Sequence, residues 1–272
     1  MTGCEEKYNM KDEFEFTKEE VLRVNKRLYN STAHIYDKDH KHNIFCVENQ
    51  ERVESILDFI IKNIKRSKNY IKLLDVGCGT GNILKLSKSK VDFVVGTDVS
   101  VECLNLASHY TNNIMYSDAT CLPFKSASVD IITAYSVLHH LFDFTDFFRE
   151  AYRMLDHKGC VYTDFDHNSL MLHKILARYK EEMLQLPLLN SLKKTIKGNR
   201  VNSYKITDYK LANYHNKFKG GINFQEVRKQ LKKIGFRYIY IYFYKKQGTT
   251  YHTGRSIFSM LRYPFVYCIA MK

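Results

Sequence analysis

At 272 residues and 32.1 kDa, the chain is long enough for one large α/β domain with additions or for two small domains, and it can bury a core without disulfides or structural metals. Its seven cysteines are scattered and never form a C-x-x-C pair, so neither a disulfide framework nor a zinc site is expected. No apolar run approaches the ~20 residues of a membrane span, and the charged N-terminus lacks the apolar segment of a signal peptide. We therefore expect a soluble, cytoplasmic protein that binds no metal.

The net charge of +13 is unevenly distributed along the chain. Residues 173–272 contain 21 Lys and Arg against four acids, a net charge of +17, whereas residues 1–172 carry −4. This uneven distribution of charge favours an anionic partner or substrate near the C-terminal part, such as a phosphorylated small molecule, RNA or a lipid headgroup. A solvated lysine-rich surface accounts for it equally well.

Strands and helices alternate after a helical N-terminal region. Residues 17–48 predict a helix followed by a loop, together a candidate lid, and the apolar spacing in 50–64 predicts an amphipathic helix. The next elements are predicted in order as strand 70–76, a helix to about 89, strand 91–98, helix 100–110, strand 113–117, strand 129–136, helix 145–155 and strand 160–165, with Gly159 capping the last helix. This alternation predicts a doubly wound α/β fold, with helices on both faces of a parallel sheet.

The alternation stops after Asp166. Two helices (169–186 and 188–197) and a polar, Tyr-rich segment (204–219) are predicted before regularity returns with a helix at 223–234 that Gly235 ends. A strand at 236–246 alternates Tyr with Ile and Phe, and a last strand follows at 265–272; we expect the two to pair antiparallel, like a hairpin, at one sheet edge. The predicted regions are an N-terminal lid (1–49), a cofactor-binding core (50–165), a substrate-cap insertion (166–220) and a C-terminal part that completes the sheet (221–272).

A glycine loop follows the first predicted strand. Gly77, Gly79 and Gly81 are spaced G-x-G-x-G, so Asn82 stands where the dinucleotide fingerprint G-x-G-x-x-G has its helix-packing glycine. Asp98 ends the second strand, where a carboxylate accepts the hydroxyls of a ribose, and Asp118 follows the third strand, where it can accept an amine such as that of adenine. Helix capping and turn formation are the alternative roles of these two acids.

Four segments resemble, in order and spacing, the class I S-adenosylmethionine (SAM)-dependent methyltransferases, in particular the ubiquinone/menaquinone-type group. They are "LLDVGCGTGN", "VGTDVS", "SDATCLPFKSASVDII" and "VLHHLFDFTDFFREAYRMLDHKG", which together span about residues 70–165. "GGINFQEVRKQLKKIGF" and the last strand extend the match less specifically. The resemblance implies SAM as cofactor and a mostly parallel, seven-stranded Rossmann-like sheet whose last strand is antiparallel.

The resemblance also assigns roles to individual residues. It places the loop containing Gly77, Cys78, Gly79 and Gly81 against the methionine part of SAM, with Asp75 near its amino group. It assigns Asp98 to the ribose, Val99 and Ala119 to the adenine environment and Asp118 to the adenine amine. Tyr135 and Ser136 would meet the methionine moiety, and Tyr29 and Tyr36 of the lid are candidates to cover SAM or to pack between helices.

The candidate bases are His139 and His140 after the fourth strand, and Tyr214 with His215 in the cap. Packing or a hydrogen bond to backbone is the alternative role of the two adjacent histidines. The predicted function is methyl transfer to a small or medium acceptor, anionic or aromatic, with Lys217, Lys219 and Arg237 as candidate contacts. An RNA (tRNA) methyltransferase, a non-catalytic SAM-binding protein and a nicotinamide oxidoreductase are the alternatives; the accepting atom and the oligomeric state are left open.

Overall fold

The computed structural model describes residues 16–39, 46–171, 203–247 and 250–272. Within them, eight strands form one sheet. The strands are β1 (Lys72–Val76), β2 (Phe93–Asp98), β3 (Ile114–Tyr116), β4 (Val129–Tyr135), β5 (Leu155–His167), β6 (Tyr238–Gln247), β7 (Thr250–Gly254) and β8 (Phe265–Met271).

Helices lie between the strands and before the first of them. They are α1 (Lys18–Asp39), α2 (Val47–Lys65), α3 (Asn82–Ser87), α4 (Val101–Ala107), α5 (Phe144–Met154), α6 (Ser203–Ala212), α7 (Tyr214–Phe218), α8 (Phe224–Ile234) and α9 (Ile257–Arg262), with a 3-10 turn at Leu138–His140. Local capping explains several starts and ends. The side chains of Ser100, Asp143 and Asn223 accept backbone N–H groups at the starts of α4, α5 and α8, and Gly235 ends α8 with a φ of +123°.

The strand order is β3-β2-β1-β4-β5-β8-β6-β7. β1 to β5 pair in parallel, and β8 lies antiparallel between β5 and β6. The predicted doubly wound α/β fold with an antiparallel last strand is therefore confirmed. The sheet has one strand more than predicted, because residues 250–254 pair with β6 as β7.

The prediction that the last two strands form a hairpin-like pair at the sheet edge is wrong in one respect. They do pair antiparallel, but β7 occupies the outer side of β6 and α9 carries the chain back over the sheet. β8 therefore lies between β5 and β6 and is hydrogen-bonded to a strand at each edge.

Two buried clusters lie on opposite faces of the sheet, and a third lies outside it. The first cluster includes apolar residues of α5 and α8, and the second includes those of α2, α3 and α4. The alternation in β6 divides as predicted, with Ile241 and Phe243 in the first cluster and Tyr244 in the second. The third cluster joins α1 to α6 and α7 through Val21, Val24, Leu211, Ala212 and Tyr214.

Gly159 does not cap α5 as predicted. The helix ends at Met154 and β5 begins at the next residue, so Gly159 lies within the strand. A Cβ atom there would lie 2.9 Å from the carbonyl oxygens of both Asp130 and Asp156. The glycine is required by this close approach of backbone, not by a helix end.

Some predictions concern residues outside those described. They are the lid loop at 40–45, nearly all of the helix at 169–186, and the helix at 188–197. The proposed region boundaries stay predictions; α2 begins at Val47 and β5 continues to His167. In the part of the chain that the structure describes, none of the helices has the length and apolar character needed to cross a bilayer.

Candidate active site

A cavity opens at the carboxyl ends of β1, β2 and β4, with α1 as one wall. Counting the solvent at its mouth, it contains about 890 Å³ of empty space. Nine of the twelve residues predicted to bind the cofactor line this first cavity: Tyr36, Gly77, Gly79, Asp98, Val99, Asp118, Ala119, Tyr135 and Ser136. Asp75, Cys78 and Gly81 lie behind or within the glycine loop and are not among its lining residues.

The glycine loop adopts left-handed backbone conformations at all three glycines. A Cβ atom on Gly77 would lie 2.6 Å from Val137, and one on Gly81 would lie 2.7 Å from Tyr110, so packing excludes side chains there. At Gly79, by contrast, a Cβ atom would meet nothing within 4 Å. Because Gly79 lines the first cavity, this open space allows a ligand to approach the backbone closely.

Asp98 lies at the end of β2 and faces the first cavity. One carboxylate oxygen accepts the Gly79 N–H and the other accepts the Ser100 N–H, both at 2.8 Å. Burial raises the pKa of Asp98, although these backbone donors oppose the shift. Asp118 instead forms a local turn, in which its Oδ1 accepts the backbone N–H and the hydroxyl of Thr120 at 2.8 and 2.9 Å.

Asp75 is a buried carboxyl group behind the glycine loop. Its Oδ1 accepts the hydroxyl of Thr133 at 2.7 Å, and Oδ2 has no hydrogen-bond partner among the described residues. Burial raises its pKa from the ordinary 3.8 to about 7, and the nearby Asp98 adds to the shift. A hydrogen-bond donor near Oδ2 would therefore favour the charged form.

Asp75→Asn is expected to remove part of the pH dependence of stability. The folded protein keeps this proton up to about pH 7, whereas the unfolded chain releases it near the ordinary 3.8. The free energy of unfolding of the wild type should therefore fall as pH rises through this range, by roughly 4 kcal/mol in all. Urea unfolding measures the difference in the free energy of unfolding between the variant and the wild type. From pH 4.5 to pH 8 this difference should change by roughly 3 kcal/mol in favour of the variant. A difference that does not change with pH would contradict this role of Asp75.

Helix α1 is attached to the sheet side of the site by polar contacts. The Tyr29 hydroxyl lies 3.0 Å from Nε2 of His140, and the Asn25 amide donates to the carbonyl of His140 at 3.1 Å. Further along α1, Asn30 accepts the Ser100 hydroxyl at 2.8 Å. These contacts hold α1 against the first cavity, where it forms one wall.

A second cavity lies next to the first and shares part of its wall. Tyr29, Tyr36, Ser136 and His140 line both cavities. The second cavity contains about 900 Å³ of empty space, again counting the solvent at its mouth. Its other lining residues are His139, Phe165, His167, Tyr209, Asn213, Asn216 and Lys217.

The two candidate histidines differ in how their ring nitrogens are used. Nδ1 of His140 lies 2.7 Å from the carbonyl oxygen of Ala212, so it must donate there, and Nε2 then accepts the Tyr29 hydroxyl. Nδ1 of His139 lies 2.8 Å from the carboxylate of Asp166, and no hydrogen bond from the described residues reaches its Nε2. Burial lowers the pKa of both imidazoles and keeps them neutral.

The other sequence candidates are placed elsewhere. Tyr214 is buried in the third cluster against Phe142, and the ring of His215 packs on Phe144; neither is among the lining residues of the two cavities. Of the three candidate cations, only Lys217 lines the second cavity. Lys219 and Arg237 are exposed elsewhere on the surface.

A buried ion pair beneath the cavities escaped the sequence analysis. Arg52 of α2 and Asp164 of β5 are joined at 2.9 Å, with 9% and 0% of their side chains exposed. Asp164 also accepts the hydroxyls of Tyr162 and Tyr244. The Arg52 Nε donates to Asn49, whose amide donates to the Tyr135 hydroxyl at 2.8 Å, so the pair connects to the first cavity.

Comparison with known proteins identifies the domain family of the residues around this site. Residues 74–163 match the protein family described as "Methyltransferase domain". An uncharacterised protein of Methanocaldococcus jannaschii is 26% identical over 223 residues, 80% of this chain and 78% of that protein. A tRNA (carboxymethyluridine(34)-5-O)-methyltransferase of Arabidopsis thaliana is 35% identical over only 69 residues, 25% of this chain and 17% of that protein.

Among solved structures, a SAM-dependent methyltransferase of Thermotoga maritima, described as a possible histamine N-methyltransferase, has a similar fold. Its TM-score is 0.53 at 13% identity, over 93% of this chain and 99% of that one. At this identity the likeness concerns the fold. Together with the matched domain it supports the class I assignment, and the ubiquinone/menaquinone-type subgroup stays a prediction.

Proposed function

Because residues 74–163 form a class I SAM-dependent methyltransferase domain, we propose that this protein transfers the methyl group of SAM to a small or medium-sized acceptor held in the second cavity. The observation that carries the proposal is the shared wall, since Tyr29, Tyr36, Ser136 and His140 line both cavities. A donor in the first cavity and an acceptor in the second would meet at this wall.

The residues of the first cavity have the chemistry that SAM requires. Asp98 would accept the ribose hydroxyls, Asp118 would accept the adenine amine, and the open space at Gly79 would admit the methionine end. The unpartnered Oδ2 of Asp75 suits a nearby amino group. When bound, SAM supplies a methyl group that its sulfonium makes electrophilic, so no covalent nucleophile is needed from the protein.

The protein's own contribution is to orient the acceptor and exclude water. Helix α1 covers the first cavity, with Tyr29 held on His140 by a hydrogen bond of 3.0 Å. The cap helices α6 and α7 pack against α1 and, together with the residue between them, supply Tyr209, Asn213 and Lys217 to the second cavity. The acceptor would thus lie between the sheet and the cap.

The lining of the second cavity favours a neutral or anionic acceptor with a flat ring or a polar end. His139 and His140 are held neutral, tyrosine and phenylalanine rings form much of the rest, and no carboxylate lines it among the described residues. Lys217 is the one permanently charged lining residue in that set. A cationic acceptor would find no opposite charge there, whereas an anionic group could pair with Lys217.

Transfer of radiolabel from [methyl-³H]SAM into a fractionated cell extract tests the proposal. We expect the label in the small-molecule fraction, and the Lys217→Gln variant should lose more activity than a matched exposed variant, Lys62→Gln. Label in RNA would instead favour the tRNA-type alternative, and label in protein or the absence of any label would also contradict a small acceptor. Salt-dependent binding to bulk tRNA would support the RNA outcome independently.

A further inference from the structure

We propose that the methyl-accepting atom carries a proton, as a hydroxyl or a neutral amine does, and that Nε2 of His139 takes this proton while Asp166 holds the imidazole in position. The inference rests on the proposed function, because it concerns the acceptor in the second cavity. It adds the class of accepting atom and a positioning residue, Asp166, that acts through His139.

The geometry around His139 favours one of its two ring nitrogens as the carrier of the proton. Oδ1 of Asp166 accepts the backbone N–H of His139 at 3.2 Å and lies 2.8 Å from its Nδ1. Oδ1 can accept from Nδ1 as well, whether the carboxyl group is ionised or carries its proton on the unpartnered Oδ2, and we assign Nδ1 as the protonated nitrogen. The lone pair of the ring is then on Nε2, and His139 lines the second cavity.

A local distortion of β5 brings Asp166 to His139. Asp164 and Asp166 are two residues apart, so in a regular strand both side chains would point to one face. Between them, Phe165 has a φ of +62°, and the pairing of β5 with β8 shifts register. As a result Asp164 meets Arg52 on one side, while Asp166 meets His139 on the other.

The two carboxylates differ in how completely they are satisfied. Asp164 has an arginine and two tyrosine hydroxyls on its oxygens. Asp166 is fully buried, and its Oδ2 has no hydrogen-bond partner among the described residues. Burying a carboxyl group with so few partners lowers stability, and strained backbone beside such a group is typical of functional sites.

His139 is better placed for proton transfer than its neighbour. Both ring nitrogens of His140 are occupied, by Ala212 and Tyr29. The titratable groups that face His139 are Asp166 from β5 and the imidazoles of His140, His167 and His215. Burial and the neighbouring imidazoles lower the pKa of His139, which keeps the ring neutral before the reaction.

The step balances without another reactant. The lone pair of the accepting oxygen or nitrogen forms a bond to the methyl carbon, the methyl–sulfur bond breaks with its electron pair remaining on sulfur, and the acceptor's proton passes to Nε2 of His139. The imidazolium that forms lies against the Asp166 carboxyl group. Since one positive charge disappears from sulfur as another appears on the ring, the net charge of the buried site does not change.

The chemistry of the labelled product tests the class of accepting atom. Label transferred from [methyl-³H]SAM to the small-molecule fraction should remain involatile after treatment with mild alkali, as expected for a methyl ether or methylamine. A carboxylate acceptor has no proton to lose and gives a methyl ester, from which alkali releases volatile methanol. Volatile label would overturn the inference while leaving the proposed function intact, whereas absence of label would contradict the proposed function itself.

Asp166→Asn tests the positioning role. The assay uses saturating SAM and, as the varied substrate, a dilution series of the small-molecule fraction that accepts the label. We expect kcat to fall about 100-fold or more, KM to change less than about threefold, and the acid limb of the pH profile to move. Asp130→Asn, which removes a carboxylate buried at the opposite end of the strands, is the matched control and should retain kcat. Loss of kcat below threefold in Asp166→Asn would overturn the assignment.

A measurement on the ligand-free wild type keeps the inference testable if Asp166→Asn does not fold. The ¹⁵N chemical shifts of His139 distinguish the Nδ1–H from the Nε2–H tautomer. We expect the Nδ1–H form, in which Nδ1 donates to Asp166. An Nε2–H tautomer would leave no lone pair facing the acceptor and would contradict the proposal.

Discussion

Asp98→Ala is expected to weaken binding of SAM and of its demethylated product by about 100-fold or more. In the proposed site, Asp98 accepts both ribose hydroxyls, and each hydrogen bond to a charged group contributes about 1.5 kcal/mol or more. Losing two of them therefore corresponds to about 3 kcal/mol, or two factors of ten in the dissociation constant. The variant also loses the acceptor for the Gly79 N–H, which fixes the loop at the same cavity.

Isothermal titration with S-adenosylhomocysteine measures this effect without an acceptor. Asp98→Asn, which keeps the shape and one acceptor oxygen, should lose less affinity than Asp98→Ala, and Asp130→Asn should bind as the wild type does. Burial raises the pKa of Asp98. As the pH is lowered, the affinity of the wild type for S-adenosylhomocysteine should therefore begin to fall at a higher pH than it would with an exposed carboxylate. Unchanged affinity in Asp98→Ala would exclude Asp98 from the site.

Arg52→Met is expected to lower the free energy of unfolding by about 3–5 kcal/mol, the usual cost of leaving one partner of a buried ion pair alone. Asp164 is fully buried, and Arg52 is the cation bound to it. The Arg52 guanidinium also lies 4.2 Å from the centre of the Tyr244 ring, so packing is lost together with charge. Urea unfolding at neutral pH measures the change.

The double variant Arg52→Met/Asp164→Asn separates charge from packing. Removing the unpaired carboxylate should recover part of the lost stability, whereas a purely steric effect of methionine would not respond to it. Arg52→Met should also weaken S-adenosylhomocysteine binding modestly, because Asn49 links Arg52 to the Tyr135 hydroxyl at the first cavity. A loss of stability below about 1 kcal/mol would contradict the importance of the pair.

The alternating elements could be predicted because their patterns are local. The apolar runs of β1, β2 and β4 and the periodic spacing of α2 and α5 are visible in the sequence and agree with the structure. Strand β7, with the sequence TYHTG, has no apolar run and forms only by pairing with β6 at the sheet edge. The position of Gly159 likewise depends on backbone that is distant in sequence, at Asp130.

The residues of the candidate site, too, could be predicted only in part. Asp98 and Asp118 could be placed because acids that follow parallel strands meet at one edge of the sheet. The pairing of Arg52 with Asp164 joins residues 112 positions apart, which one sequence cannot reveal. Asp166 lies near the carboxyl end of the parallel strand β5, but its contact with His139 depends on the conformation of Phe165, for which the sequence has no signature.

Tyr214 and His215 show why the sequence could not predict which residues of α7 reach the cavity. Their residue types suit proton transfer, but the packing of α7 against α1 and the 3-10 turn decides which side chains reach the cavity. That packing buries Tyr214 and brings Asn213, Asn216 and Lys217 to the wall. Helix faces in an insertion cannot be assigned until the element against which they pack is known.

A crystal structure with bound S-adenosylhomocysteine tests whether donor and acceptor occupy the two adjoining cavities. We expect the ribose on Asp98 and the sulfur atom at the shared wall near Ser136 and His140, open to the second cavity. A sulfur atom that faces solvent or another opening, or a ligand that does not contact Asp98, would contradict it.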